Sequence, residues 1–334
     1  MCPVNLNAGP QKMKQGTKYF LFVSFVLLLA ACRQEDKRAA EIAKTPIALE
    51  IARFDLAFDN ATPDSLQSLK GAYPYLFPKG TPDSVWVAKM RDTLQQQLAD
   101  EVQKAFDDFD DVERGIRSLF QHVKYYYPES QVPKVVTLIS TVRYEDRIIL
   151  TDSLLLIGLD NYLGKDHFFY KGLSNYIALG LDKKYLLSDI ASAFAKKVNQ
   201  YPRNRSFLSR MVYYGKELYI KDKLLPDIPD AQKIGYTPEQ MQWAKENEEQ
   251  IWRFFIEREL LYSTDSKLDK RFLDPAPFSK FGLELDNESP PRLGRYMGWQ
   301  IVRAYMEKND VTLQQLLALP ADEIFKKSNY KPRR

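Results

Sequence analysis

The chain has 334 residues, of which 45% are hydrophobic and 13% aromatic, with 48 basic against 44 acidic side chains. Residues 1–31 carry Lys12, Lys14 and Lys18 and no acid, so without them the balance is 45 to 44, and such a near-neutral surface argues against nucleic acid as the main partner. Cys2 and Cys32 are the two cysteines. A chain starting at Cys32 therefore forms no internal disulfide and must rest on a core that ~300 residues suffice to build.

In chain order, the first feature runs from Met13 to Cys32. Lys14 and Lys18 precede an apolar run from Tyr19 to Leu29, which closes on Leu29-Ala30-Ala31-Cys32. A charged start, an apolar middle and small residues before a cut make a secretory signal, with Met13 a candidate start. The apolar run is about half the ~20 residues of a spanning helix, so cleavage before Cys32 is predicted rather than a permanent span. The segment resembles the lipobox of bacterial lipoproteins, which implies an acylated Cys32 and a bilayer as partner.

From Arg33 to Thr45 the chain is polar and Ala-rich, and residues 32–45 read as the lipidated N-terminus and a flexible tether. Arg33-Gln34-Glu35-Asp36 resembles the export tag of Bacteroidetes surface lipoproteins, and a solvated tether accounts for the same run. The globular body spans 46–334. Ile47, Leu49 and Ile51 alternate as in a strand. Thr62-Pro63 caps a short helix, and Thr81-Pro82 opens a long one with Val87, Leu94, Leu98, Val102, Phe106 and Phe109 on one stripe. The acids Asp107, Asp108, Asp110 and Asp111 lack the spacing and glycine of a calcium loop and read as a solvated turn.

Residues 135–157 turn β-rich, in the runs Val135–Ile139, Arg147–Thr151 and Ser153–Ile157, which predicts a small, largely antiparallel sheet. Helices follow over Tyr185–Val198, Phe207–Lys223, Thr237–Tyr262, Pro290–Glu307 and Thr312–Lys326. The class is α+β, a mostly helical single domain. Gly294 and Gly298 share one face of the Pro290–Glu307 helix. Helical glycines cost ~1 kcal/mol each, so this pair predicts a close approach to the Phe207–Lys223 helix. Arg292, Arg295 and Arg303 on the same helix exclude membrane insertion.

Several blocks together resemble the GldB family of gliding-motility lipoproteins. They are Ala52–Asp55, Val135–Ser140, Ile157–Gly164, Tyr214–Tyr219 and Ser289–Val302, with the Leu-Ala-Ala-Cys front. The structural motif residues of this resemblance are Asp160, Gly164, Gly215, Lys216, Arg292, Gly294 and Gly298. It implies a Bacteroidetes lipoprotein of the cell envelope, on the outer membrane facing the periplasm, with partners in the gliding machinery and its associated type IX secretion system.

The body also resembles zincin-type metallopeptidases, but the metal motif is absent. A zincin needs two histidines one helical turn apart and a glutamate beside the first. The corresponding places hold Tyr213, Tyr214 and Glu217. His122 and His167 lie on either side of the β-rich region and read as structural or surface residues. Glu248 and Glu259, placed on one face of the Thr237–Tyr262 helix, read as carboxylates paired with arginines. No phosphate loop or catalytic triad is visible, and no metal or cofactor is expected. Two functions follow, a non-catalytic lipoprotein acting through protein contacts, or an atypical hydrolase acting on peptide or cell-wall glycan. A glycan-binding module would rest on aromatics such as Tyr125–Tyr127, which core packing explains more simply.

Overall fold

The structure, a computed structural model, describes residues 37–283 and 286–333. The signal segment, Cys32 and the acidic run after it lie outside the described residues. The chain divides into two units at Pro46–Ile47. In the first, residues 37–43 are helical where a flexible tether is predicted. Alanine, glutamate, lysine and arginine, all good helix formers, make up most of that stretch.

The second unit is built on a four-stranded sheet of β1 (Ile51–Arg53), β2 (Lys134–Leu138), β3 (Ile148–Leu150) and β4 (Leu154–Gly158), in the order β1-β2-β4-β3. β1 and β4 both run parallel to β2, and β3 alone is antiparallel, against β4. The sheet is therefore mixed, not largely antiparallel as predicted. The reason is legible in the packing. Val135, Leu155 and Ile157 face the main core, while Val136, Leu154 and Leu156 face a second cluster with Phe54, Phe58, Leu66, Leu69 and Phe77. Strands covered on both faces read as continuous apolar runs, and that is the signature of parallel pairing.

The helices break more often than their periodicity suggests. The first long helix divides into Asp83–Met90 and Thr93–Ala105, because Asp92 caps a fresh start through Gln95 N at 2.8 Å. Asp110 and Asp111 then open the Asp110–Tyr126 helix, where acids favour the dipole. The predicted Thr237–Tyr262 helix is two helices, Pro238–Glu246 and Glu248–Glu257, joined at Asn247, and Glu259 lies beyond them at φ +53°. Glu248 and Glu259 thus share no helix face. Pro320 likewise separates Leu313–Ala318 from Ala321–Ser328.

The main core closes around the crossing of Phe207–Leu224 with Leu293–Lys308. The two backbones touch. A methyl group on Gly298 would overlap Met211 C and O, and one on Gly215 would overlap the Gly298 carbonyl and lie 2.8 Å from Trp299 N. Gly294 fits under Leu273 and Phe272 O, at 2.8 and 2.9 Å from the same probe position. Phe207, Met211, Met297, Trp299 and Ile301 are fully buried around this contact.

Candidate functional site

Tyr213, Tyr214 and Glu217 all lie on the Phe207–Leu224 helix, but the fold separates them. Tyr213 points to the side lined by Tyr201 and Asn199, with the Tyr201 ring at 4.9 Å and Asn199 Nδ2 donating to its carbonyl at 2.9 Å. Lys216 also projects away, donating to Leu317 O at 3.0 Å and Leu319 O at 2.7 Å at the end of the Leu313–Ala318 helix. Burial pushes its ammonium down to about 8.

Tyr214 and Glu217 instead line a cavity of about 360 Å³, together with Lys221 one turn further on. The Leu186–Val198 helix adds Ser188, Asp189 and Ser192, and the start of Leu293–Lys308 adds Arg292 and Arg295. The Glu217 carboxylate is buried. Oε1 accepts from Ser192 Oγ at 2.9 Å, and Oε2 has no hydrogen-bond partner among the described residues. Lys221 is 5% exposed and donates to Ser188 Oγ at 3.0 Å and to Lys233 O at 2.7 Å. Burial pushes it down to about 8, against the upward pull of Glu217 and Asp189.

Arg292 takes a left-handed backbone at φ +58° just before its helix and donates from Nη2 to Gly235 O at 3.0 Å. Its Nε is buried without a partner among the described residues, and burial together with Arg295 pushes the guanidinium down to about 10. Gly235 itself needs φ +73° there, and a side chain would approach Arg292 Nη2 to 3.1 Å. Arg295 stacks its guanidinium 3.7 Å from the Tyr214 ring centroid and donates to Leu273 O. Burial raises the Tyr214 phenol, with Arg295 pulling the other way.

Two other charges on the wall are internally matched. Arg147 donates to Asp189 at 2.7 Å, and Tyr162 OH donates to the same carboxylate at 2.9 Å. Lys233 pairs with Asp222 at 3.1 Å, and Arg303 clamps Asp222 and Asp230 while stacking 3.8 Å from Trp299.

Asp160 shapes the wall from a distance. It is fully buried and accepts Ser140 N at 2.8 Å, Val142 N and Ser140 Oγ, while Tyr170 OH donates to its carbonyl at 2.7 Å. Thr141 and Val142 hold φ +61° and +55°, a strained pair for β-branched residues that these bonds stabilise. The chain then delivers Tyr144 and Arg147 to the cavity. Burial pushes the Asp160 carboxyl up, opposed by its hydrogen bonds. Gly164, at φ +104°, donates to Leu181 O at 2.9 Å beside the Leu163–Asp182 bridge.

The remaining candidates lie elsewhere. His122 is buried with Nδ1 2.8 Å from Ser118 O, and His167 Nε2 lies 3.2 Å from Glu101. Among the described residues Glu248 pairs with no arginine side chain, contrary to prediction. It is buried and accepts from Tyr296 OH at 2.8 Å, Tyr330 OH at 2.7 Å and Arg333 N at 3.1 Å. Tyr127 packs against Phe194 at 5.3 Å, and burial pushes its phenol up to about 12. Among the described residues, no three His, Cys, Asp or Glu side chains are placed to hold a metal ion. None of the described helices is long and apolar enough to cross a membrane.

Sequence reasoning reached Tyr214, Glu217 and Arg292 but missed Lys221, Ser192 and Arg295 as partners in one cavity. Lys221 carried a signal, being a charged residue one turn from Glu217 in a helix whose interior is mostly buried. Ser192 and Asp189 carried none, since only the tertiary fold brings their helix alongside.

Among the comparisons with known proteins, a family model described as gliding motility protein GldB matches residues 35–332. No curated protein and no solved structure matches.

Proposed function

Since the chain belongs to the GldB family of gliding motility proteins, we propose that it is a non-catalytic lipoprotein of the cell envelope, serving the motility machinery through protein contacts. An acylated Cys32 holds it on the outer membrane with the body facing the periplasm, where the associated type IX secretion proteins are its partners. The body is peptidase-like and has lost its metal site.

One observation carries this reading. Where a metallopeptidase of this kind needs imidazoles around a dication, Tyr214 lies under the Arg295 guanidinium at 3.7 Å. A fixed cation there, with Arg292 and Lys221 on the same wall, opposes a divalent metal by like-charge repulsion. Glu217, the residue standing where the water-activating glutamate would be sought, is tied to Ser192.

Replacing Glu217 by Gln keeps the shape and the Ser192 contact while removing any general base. Cells carrying E217Q at normal abundance should spread over surfaces as the wild type does. Lost spreading at full abundance would return the chain to the hydrolase reading. Cys32→Ser should abolish labelling by an alkyne fatty acid, and labelling that persists would refute the anchor.

A further inference from the structure

The charges around the 360 Å³ cavity do not balance. With Arg147 matched to Asp189 and Lys233 to Asp222, three cations remain, Lys221, Arg292 and Arg295, against the single carboxylate of Glu217. None of these three makes an ion pair among the described residues, whereas Arg303, on the same helix as Arg295, makes two. A buried ammonium without a counter-charge is costly, and buried charges are ordinarily paired. Arg292 Nε adds a buried donor with no acceptor among the described residues. Tyr176, Ile177, Leu218 and Pro277 supply apolar wall beside the charged end.

We propose that the cavity is a binding site for a small oxyanion, a phosphate or carboxylate head on an apolar body, recognised by Arg292, Arg295 and Lys221. The anion takes up the idle donor of Arg292, the outward edge of the Arg295 fork and the remaining proton of Lys221. Guanidinium groups suit such a head because their donors match two oxygens at once. Burial lowers Lys221 to about 8 and Arg292 to about 10, and the upward pull of Glu217 and Asp189 offsets it only in part. Among the described residues of the wall, Glu217 is the carboxylate without an ion-pair partner, and it opposes the ligand. This inference does not rest on the non-catalytic reading, because an enzyme could use the same anion site.

The test is calorimetric titration of the purified full chain in detergent with phenyl phosphate and with benzoate, at constant ionic strength set by sodium chloride. Saturable binding of either probe is expected, the tighter one identifying the head group. Arg295→Gln should weaken it about tenfold or more, as loss of a charged hydrogen bond does. Glu217→Gln should tighten it about threefold by removing like charge, an outcome that general damage to the fold would not produce. Absence of saturable binding by both probes, or equal affinity of Arg295→Gln and wild type, would overturn the proposal. Weaker binding by Glu217→Gln would overturn the assigned charge pattern.

Discussion

The crossing of Phe207–Leu224 with Leu293–Lys308 makes a sharp prediction at Gly298. An alanine methyl there would overlap the Met211 backbone, which cannot turn aside as a flexible side chain can. The helices must separate, and a gap on the order of 0.5–1 Å forfeits a quarter to a half of the dispersion attraction between facing atoms. Met211, Met297, Trp299 and Ile301 all lose contact together. Overpacking of this kind costs about 3 kcal/mol. At ~2.1 cal/mol/K per residue over a body of this size, that is a fall in Tm of about 5 °C. Gly71→Ala is the control, since nothing lies within 4 Å of its added methyl in the Leu66–Ala72 helix, and helix propensity should raise stability by ~0.5–1 kcal/mol. Urea and thermal unfolding followed by circular dichroism would compare the two. If Gly298→Ala melted no lower than wild type, the close-approach account of the paired glycines would fall.

Lys216 gives a pH signature. Its folded value of about 8 lies below the ordinary 10.5, so the folded protein binds fewer protons than the unfolded chain between those values, and stability rises with pH across that window. The gain reaches about 1–2 kcal/mol by pH ~9.5, before tyrosines titrate in the unfolded chain. Lys216→Met should remove about half of the total rise in urea midpoints taken at successive pH values, because Lys221, also held at about 8 by burial, keeps the rest, and an equal rise in the variant would contradict the assignment. Asp160→Asn leaves Ser140 N or Val142 N without its acceptor and should cost ~2–4 kcal/mol, with faster amide exchange at Val142. An unchanged unfolding midpoint would show that the strained turn holds itself. Glu248→Ala removes the acceptor for Tyr330 and Arg333 and should speed chymotryptic cleavage after Tyr330 several-fold, at a stability cost of ~2 kcal/mol. Cleavage at the wild-type rate would mean the C-terminal segment is pinned by other contacts.

What the sequence determined alone was everything carried by near neighbours in the chain. Strands around Val135, Ile148 and Leu155, the helix starts at Phe207 and Thr312, and the glycine face at Gly294 and Gly298 follow from period, capping and propensity, which act within a few residues. Where Asp92, Asn247 and Pro320 interrupt apolar periodicity, the stripe continued in sequence while the helix did not, so boundaries were lost. The sheet order was decided only in three dimensions. β1 reaches β2 across some eighty residues, and whether a second layer covers the far face is a property of where Phe54, Phe58 and Phe77 land. The cavity is of the same kind. Its unmatched cations and its carboxylate come from two helices, and their imbalance is invisible until Arg147 and Lys233 are seen to make ion pairs and Lys221, Arg292 and Arg295 to make none among the described residues. Charge compensation is set by distances of a few ångströms between side chains far apart in sequence, and only the folded chain specifies those distances.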